Sequence, residues 1–347
     1  MRAGRENGLV FPNTTGTSGQ TLVTNGSGGF TWGTPLSLTG DAGDILFNTG
    51  SAIGAAQFVN VENGYLKLMT GLPGVGGAGG AILGSKDLGT RIMPAFVGPN
   101  GLDTTIQPHM GRNKVFMISP TSAATTVSVL GGIPAPTLLV PIARTPSATS
   151  MMTSLTRIGF ATNASTTTNL VAGIRIPTLM WMRGPSSGIG GFHLQCTFTI
   201  PDTVATTNKR MFIGLYGTLA TPTNVDPAGL LNTIGVGKIS GNNNLQLISN
   251  SGSGTATLVD FGTGFPATGV NTGAVYLLTL FSPAGGTFVG WRIDRLDTST
   301  TLSGTITSSA AMPVSTSMMA FTAWVTNNGT ANITGFDLSN LYVETDN

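Results

Sequence analysis

A short repeat near the start of the chain limits most strongly what this chain can fold into. Residues 16–26 (GTSGQTLVTNG) and 40–50 (GDAGDILFNTG) superpose with an offset of 24 residues, from Gly16 to Gly40, and share three glycines and a leucine. Periods of this size are typical of stacked repeats. Each copy predicts a turn, a short strand and a second turn. One copy has too little apolar surface to be stable alone, so we expect identical chains to complete it.

The composition indicates an all-β protein. Charged residues make up 9% of the chain, against roughly 25% in ordinary globular proteins. Glycine occurs 50 times, and the only glutamates are Glu6, Glu62 and Glu344, so helix formers are scarce while turn formers are abundant. With 40% hydrophobic residues and a net charge of +2, the chain can bury a core. Low charge also accompanies extensive subunit contacts.

Several partner classes are excluded by the same composition. A net charge of +2 without a run of Lys and Arg provides no footprint for nucleic acid. The sequence contains no run of about 18 apolar residues, so no membrane span is predicted. The single cysteine, Cys196, cannot form an internal disulfide, and two histidines with one cysteine have no transition-metal spacing. We therefore expect no cofactor and no metal.

The chain divides into three predicted segments. Residues 1–70 form a repeat region, in which Asn63-Gly64 between alternating apolar residues predicts a β-hairpin. Residues 71–110 are predicted to be a glycine-rich linker followed by an irregular connector. Residues 111–347 are predicted to form one β domain.

Short apolar runs bounded by turn residues predict the strands of this β domain. Residues 192–200 alternate strictly, which places Phe192, Leu194, Cys196, Phe198 and Ile200 on one buried face. Such strands predict a β-sandwich of jelly-roll type. The predicted strands are 115–118, 137–140, 157–160, 170–174, 191–200, 210–216, 275–281, 289–296, 319–325 and 336–343.

Two stretches resemble a known family. The repeat units at 16–26 and 43–48, with Phe30-Thr31-Trp32 after the first, resemble repeats of tailed-bacteriophage fibre proteins. The C-terminal part is similar to the distal module of phage fibres. The matching stretches there are 190–192, 210–215, 232–237, 254–256, 265–266, 276–281 and 341–346. The resemblance implies a homotrimer in the virion, made in the bacterial host cytoplasm, that binds the host surface.

Motifs that would indicate an enzyme lack their structural context. Residues 184–188 match Gly-X-Ser-X-Gly, but the internal proline and the glycines that follow cannot open the helix that a nucleophile elbow needs. Residues 74–79 match Gly-X-Gly-X-X-Gly within a glycine-rich segment that opens no helix. His109 lies in the connector, and His193 is expected on the outward face of its strand, solvated or at an interface.

A polysaccharide-degrading tailspike would need two carboxylates about 5–9.5 Å apart. Asp294 and Asp297 are expected to face opposite sides of a strand, with Asp294 in a surface ion pair beside Arg292 and Arg295. Pairs that are distant in sequence can still meet in the fold, so a depolymerase stays an alternative. The candidates are Asp202, Asp226, Asp260, Asp294, Asp297, Asp337, Glu344 and Asp346.

Other polar and aromatic residues have expected structural roles. Asp202 and Asp226 are predicted to initiate turns. Trp181, Trp291 and Trp324 lie in strand-like stretches and are expected in the core. No catalytic residue and no receptor-binding residue is therefore assigned from the sequence.

These expectations combine into one function hypothesis with two alternatives. The chain is expected to be a non-enzymatic fibre or spike of a phage virion, either a tail fibre or a head or neck fibre. Its N-terminus would attach to other virion proteins, and its sandwich would bind a host cell-surface glycan or protein. The alternatives are the depolymerase and a purely structural, capsid-decorating head fibre.

Overall fold

In a computed structural model of the chain, the described residues form two compact units. The first unit comprises residues 1–86 and 94–105, and the second unit comprises residues 87–93 and 106–347. The domain limits of 1–70, 71–110 and 111–347 stay a prediction, and residues 71–81 lie outside the described part. The described residues are 5–6, 9–12, 14–18, 20–25, 27–33, 44–48, 53–62, 65–68, 82–97, 103–105, 114–121, 127–130, 137–163, 166–202, 207–267 and 273–345.

Short antiparallel strands are formed by the described residues of the N-terminal part of the chain. β1 pairs with β2, β3 with β4, and β6 with both β5 and β7; β9 lies between β8 and β10. The strands are β1 Arg5–Glu6, β2 Leu9–Val10, β3 Thr21–Thr24, β4 Phe30–Gly33, β5 Asp44–Asn48, β6 Ile53–Glu62, β7 Tyr65–Leu68, β8 Ile82–Leu88, β9 Arg91–Val97 and β10 Asp103–Thr105.

The described strands of the two repeat copies correspond to each other. β3 occupies residues 21–24 of the first copy, and β5 covers the positions 24 residues further on. In each copy the strand pairs antiparallel with the strand that follows it. The hairpin predicted around residues 63–64 is also present, because β6 and β7 pair up to Glu62 and Tyr65; the two turn residues lie outside the described part.

The β3–β4 hairpin buries little of its apolar surface. All four residues of β3 are exposed, with Leu22 at 43% and Val23 at 39%. Trp32 donates its indole N–H to the Thr14 carbonyl over 2.7 Å, and the ring of Phe30 stacks on that of Phe11. A two-stranded hairpin of this size is marginal by itself.

The prediction of an irregular connector is wrong for residues 82–97 and 103–105, because these residues form three strands. Pro94, within β9, argued against a strand there, since proline removes a backbone donor. A short turn joins β8 and β9 into a hairpin. The tip of this hairpin, residues 87–93, belongs to the second unit. We call residues 87–93 the hairpin tip.

The described residues of the second unit are almost entirely β, with one α-helix and two 3₁₀ turns among them. One short α-helix, α1, begins after Ser150, whose side chain caps it. Two 3₁₀ turns cover Pro227–Gly229 and Ser309–Ala311. The other elements are β11 Lys114–Pro120, β12 Val127–Leu130, β13 Thr137–Leu138, β14 Ile142–Arg144, α1 Met151–Ser154, β15 Arg157–Ala161, β16 Val171–Arg175, β17 Phe192–Thr199, β18 Arg210–Tyr216, β19 Thr233–Lys238, β20 Gln246–Asn250, β21 Thr257–Asp260, β22 Val275–Ser282, β23 Val289–Arg295, β24 Thr300–Ile306, β25 Ala320–Thr326 and β26 Gly335–Thr345.

Two antiparallel sheets form a jelly-roll-like sandwich. The nine-stranded sheet has the order β12-β11-β26-β17-β22-β23-β24, and β15 joins β14 to the first half of β26. The seven-stranded sheet has the order β13-β16-β25-β18-β19-β20-β21. Consecutive neighbours are mixed with strands distant in the sequence, as in Greek-key arrangements. The all-β sandwich predicted from the sequence is therefore confirmed.

One continuous core lies between the sheets. The inward positions of β17 are confirmed, because Phe192, Leu194, Cys196, Phe198 and Ile200 are at most 5% exposed and pack in this core. The expected core positions of Trp181, Trp291 and Trp324 are also confirmed, because all three side chains are buried. Burial raises the pKa of the Cys196 thiol, which keeps it protonated and unreactive.

A smaller apolar cluster covers the other face of the seven-stranded sheet. Phe212 and Trp324 are fully buried there, beside Leu230 of the long loop between β18 and β19. Gly214 and Gly235 leave room for the Phe212 ring, since a Cβ at either position would lie within 3.0 Å of it. This face is therefore closed by its own chain. Among the described residues, no helix is long and apolar enough to cross a membrane.

Candidate functional site

The described candidate carboxylates are each engaged by donors of the second unit. Asp337 binds Arg144 and Arg157, Asp294 binds Arg292, and Asp297 binds Arg295. Arg295 thus pairs with Asp297 instead of with Asp294. The predicted ion pair of Asp294 with Arg292 is present, but its expected surface position is wrong, because Asp294 is only 8% exposed.

Two further carboxylates organise loops. Asp226 caps the turn at Pro227–Gly229 by accepting from the Ala228 N–H, which confirms its predicted role in a turn. Asp260 accepts from the side chains of Asn242 and Asn244. Burial acts to raise the pKa of Asp260, but these bonds and one from the backbone lower it overall.

Asp202 is buried, and its predicted role in a turn stays a prediction, because residues 203–206 lie outside the described part. It accepts from the Lys209 ammonium at 2.5 Å, the Thr334 hydroxyl at 3.0 Å and the Gly335 N–H at 2.8 Å. Beside it, the Lys238 ammonium donates to three backbone carbonyls. Burial and the neighbouring Lys209 lower the pKa of Lys238 to about 7. Because each group has protein partners, this cluster stabilises the fold.

The expectation that His193 is solvated is wrong, because the residue is 3% exposed. Its Nδ1 lies 2.6 Å from the Arg91 guanidinium, which also pairs with Glu344. Tyr342 donates to the other Glu344 oxygen at 2.7 Å. Burial acts to raise the pKa of Glu344, but hydrogen bonds from His193, Tyr342 and Arg91 outweigh it and lower the pKa to about 2. Glu344 therefore stays ionised and holds the hairpin tip on the nine-stranded sheet.

The remaining motifs form no catalytic constellation among the described residues. Residues 184–188 contain a bend and a turn, and no helix follows them, as predicted. His109 and residues 74–79 lie outside the described part. In the part that the structure describes, no three His, Cys, Asp or Glu side chains gather as metal ligands would.

A polar cleft lies at one end of the sandwich. It has a volume of about 330 Å³ and is lined by three loops, at residues 183–185, 285–287 and 307–315. We call it the Arg183 cleft. Thr287, Thr307 and Ser309 are exposed on its lining, together with apolar Pro185, while Met312 is buried beneath them. Hydroxyls beside an apolar patch suit a small polar ligand.

Glycines bring the first two loops of the cleft together. Gly184 and Gly285 have φ values of +93° and +66°, which other residues rarely adopt. A Cβ on Gly184 would lie 1.6 Å from the Ile189 carbonyl oxygen, and one on Gly285 would lie 2.2 Å from the Ser186 backbone. The Gly285 N–H donates to the carbonyls of Arg183 and Ile189. Of the two glycines in the Gly-X-Ser-X-Gly match, Gly184 therefore serves close backbone approach, whereas Gly188 has φ +78° and open space around it.

Arg183 is the charged group of the cleft. Arg183 is 6% exposed, and its guanidinium donates to the carbonyl oxygens of Pro313 at 2.8 Å and Gly286 at 2.7 Å. Burial lowers the pKa of the guanidinium from its ordinary value. Sequence reasoning missed this site, because Arg183 carries no local motif and its neighbours come from loops about 100 residues away.

No protein-family model matches the chain, and no curated protein matches it in sequence. Solved structures resemble its fold at low identity. Peanut lectin is 12% identical, with 67% of this chain and 97% of the lectin covered and a TM-score of 0.40. Arcelin-5, a lectin-like defence protein from Phaseolus vulgaris, is 9% identical, with 68% and 99% covered and a TM-score of 0.39. A carbohydrate esterase from the Shiga toxin-encoding bacteriophage phi24B is 12% identical, with 62% and 88% covered and a TM-score of 0.33.

Proposed function

We propose that this chain is a non-enzymatic fibre or spike protein of a tailed-bacteriophage virion. In this proposal the N-terminal region attaches to other virion proteins and holds three chains together. The sandwich binds a glycan of the host surface through the Arg183 cleft. The resemblance of residues 16–26 and 43–48 to phage fibre repeats supports the virion location.

The observation that carries the binding role is the Arg183 cleft itself. Its loops extend from a sandwich whose sheets are fixed by a continuous core, and such scaffolds commonly present recognition loops. The cleft volume lies at the lower end of small-ligand pockets, which are roughly 300–1,000 Å³. Exposed Thr307 and Ser309 offer the hydroxyl donors and acceptors that sugar hydroxyls need.

The state of the carboxylates favours binding over hydrolysis. A glycosidase needs a general acid with a raised pKa beside a second carboxylate. Asp337 and Glu344, by contrast, are held by arginines, and the pKa of Glu344 is lowered. These residues fit structural roles.

The proposal is tested with the full-length protein and a panel of bacterial surface polysaccharides. We expect saturable binding to the polysaccharides of some strains, inhibition of virion adsorption to those strains, and no new reducing ends after long incubation. New reducing ends would favour the depolymerase instead. Antibodies to the chain identify the strains whose adsorption of the virion depends on it. If the protein bound the surface polysaccharide of none of these strains, glycan recognition would be contradicted.

A further inference from the structure

Arg183 differs from the other buried arginine of the second unit. Among the residues whose exposure is described, the buried arginines are Arg157 and Arg183, both at 6%. Arg157 pairs with the Asp337 carboxylate. No carboxylate of the described residues pairs with Arg183, whose hydrogen bonds go to the carbonyls of Pro313 and Gly286. A buried charge without a counter-charge is costly, so this arrangement favours an anion from outside.

The guanidinium is held ready for such an anion. It carries five N–H donors in a rigid plane, and the two carbonyls occupy one N–H of Nε and one of Nη1. The remaining donors have no acceptor among the described residues, while the side chain lines the cleft. Because both carbonyls come from different loops, the fork is fixed before a ligand arrives, which lowers the entropic cost of binding. Such a fork matches the two oxygens of a carboxylate.

The rest of the cleft suits a sugar ring that carries the anion. Thr287, Thr307 and Ser309 present hydroxyls, and exposed Pro185 offers an apolar surface. No acidic side chain lines the cleft among the described residues. An anion therefore meets the guanidinium without repulsion from the walls.

We propose that the Arg183 cleft binds the oxyanion of an acidic saccharide, with the carboxylate of a uronic acid as the best geometric match. This inference rests on the proposed glycan-binding function and names the ligand class. The bound oxyanion would pair with the Arg183 guanidinium, and the sugar hydroxyls would contact the threonine and serine side chains of the rim.

The test compares matched probes on the full-length protein by calorimetric or NMR titration. D-Glucuronate and D-glucose share one ring and differ in the charged group, while inorganic sulfate carries charge without a ring. We expect glucuronate to bind at least ten-fold more tightly than glucose and more tightly than sulfate. Binding should weaken when the ionic strength is raised.

A charge placed in the cleft gives the decisive variant. Thr307→Asp puts a carboxylate beside Arg183 at an exposed position and should weaken glucuronate binding at least ten-fold. Thr221→Asp adds the same charge at an exposed threonine outside the cleft and should bind as the unmodified protein does. Arg183→Lys keeps the charge, loses the planar fork and should also bind more weakly. An unchanged melting temperature of Thr307→Asp keeps the comparison valid if Arg183→Lys fails to fold.

The outcomes separate this inference from the proposed function. Equal binding of glucose and glucuronate, or full glucuronate binding by Thr307→Asp, overturns the anion site but leaves glycan binding standing. A third outcome is that Thr307→Asp abolishes glucuronate binding while the unmodified protein binds no surface polysaccharide. This outcome supports the anion site and contradicts host adsorption. Sulfate binding as tight as glucuronate binding overturns the saccharide assignment.

Discussion

Strand β3 of the first unit and strand β25 of the second unit place similar residues in opposite environments. All four residues of β3 are exposed, whereas all seven residues of β25 are buried. Both strands are built from apolar and threonine residues, so their composition does not explain the difference. The neighbours do: β25 lies between β16 and β18 in a wide sheet and under a second sheet, while β3 has one partner. The sandwich thus supplies its own core, and the repeat hairpin does not.

The largest effect on this contrast is expected from Phe198→Asp. Phe198 is fully buried, and its ring centroid lies 5.3 Å from that of Tyr276. A carboxylate there would be buried without a partner, which should prevent the sandwich from folding. The same change at exposed Leu22 should leave the sandwich transition in place. Scanning calorimetry measures both, and a soluble Phe198→Asp protein with an unchanged transition would show that the inward face is assigned wrongly.

Sequence patterns were sufficient where one face of a strand is apolar throughout. The strand at 210–216 has the predicted bounds, and the predicted strands at 275–281 and 289–296 are both present and pair with each other. Strands β19 and β24 were missed because glycines and hydroxyl residues interrupt their alternation. Gly237 in β19 is required by close packing, since a Cβ there would lie 2.2 Å from the Met211 carbonyl oxygen. Such crowding depends on a neighbouring strand, which a local pattern does not contain.

The site residues were harder to predict than the strands. The alternation of β17 correctly put His193 on the face opposite Leu194, but the burial of that face depends on Arg91, about 100 residues earlier. The Arg183 cleft is assembled from three distant loops in the same way. Long-range contacts therefore decided which polar residues are buried, and no local motif reports them.

The second largest effect is expected from removing Arg91. Its guanidinium pairs with Glu344, which is 1% exposed, and lies 5.7 Å from the centre of the Phe281 ring. Leaving a buried charge uncompensated costs about 3–5 kcal/mol. Arg91→Ala should cost less than that, because Tyr342 and His193 still bind the Glu344 carboxylate. Ile92→Ala, at an exposed neighbouring position, should stay within about 0.5 kcal/mol. Equal denaturant midpoints for the two variants would contradict the anchoring role of the hairpin tip.

This pair also determines how the second unit is best isolated. A fragment of residues 111–347 lacks Arg91, whereas residues 82–347 retain the hairpin tip. We expect the longer fragment to melt at a higher temperature, and the two fragments can be compared by circular dichroism. Equal melting temperatures would indicate that residues 82–110 contribute nothing to the sandwich.

A smaller effect should appear as a pH dependence. Glu344 has a folded-state pKa of about 2 against an ordinary value of 4.5, so its ionisation stabilises the folded state fully above about pH 4.5. This contribution should disappear as the pH falls from 4.5 to 2. Glu344→Gln lacks the ionisation, so its stability deficit relative to the unmodified protein should shrink over that interval. A deficit of the same size at pH 5 and pH 2 would contradict the assignment.

The smallest effect on folding and the most specific effect on assembly are expected at the exposed residues of β3. Leu22 and Val23 are 43% and 39% exposed on a hairpin that has little core of its own. In the proposed trimer they would pack against other chains, where apolar contact replaces contact with water. Replacing both with serine should leave the sandwich transition within about 0.5 kcal/mol but shift the mass measured by light scattering from trimer toward monomer. Val140→Ser removes a residue that is 81% exposed in the second unit and should leave the trimer intact. A monomeric unmodified protein at micromolar concentration, or equal dissociation by Val140→Ser, would show that the β3 surface does not hold the chains together.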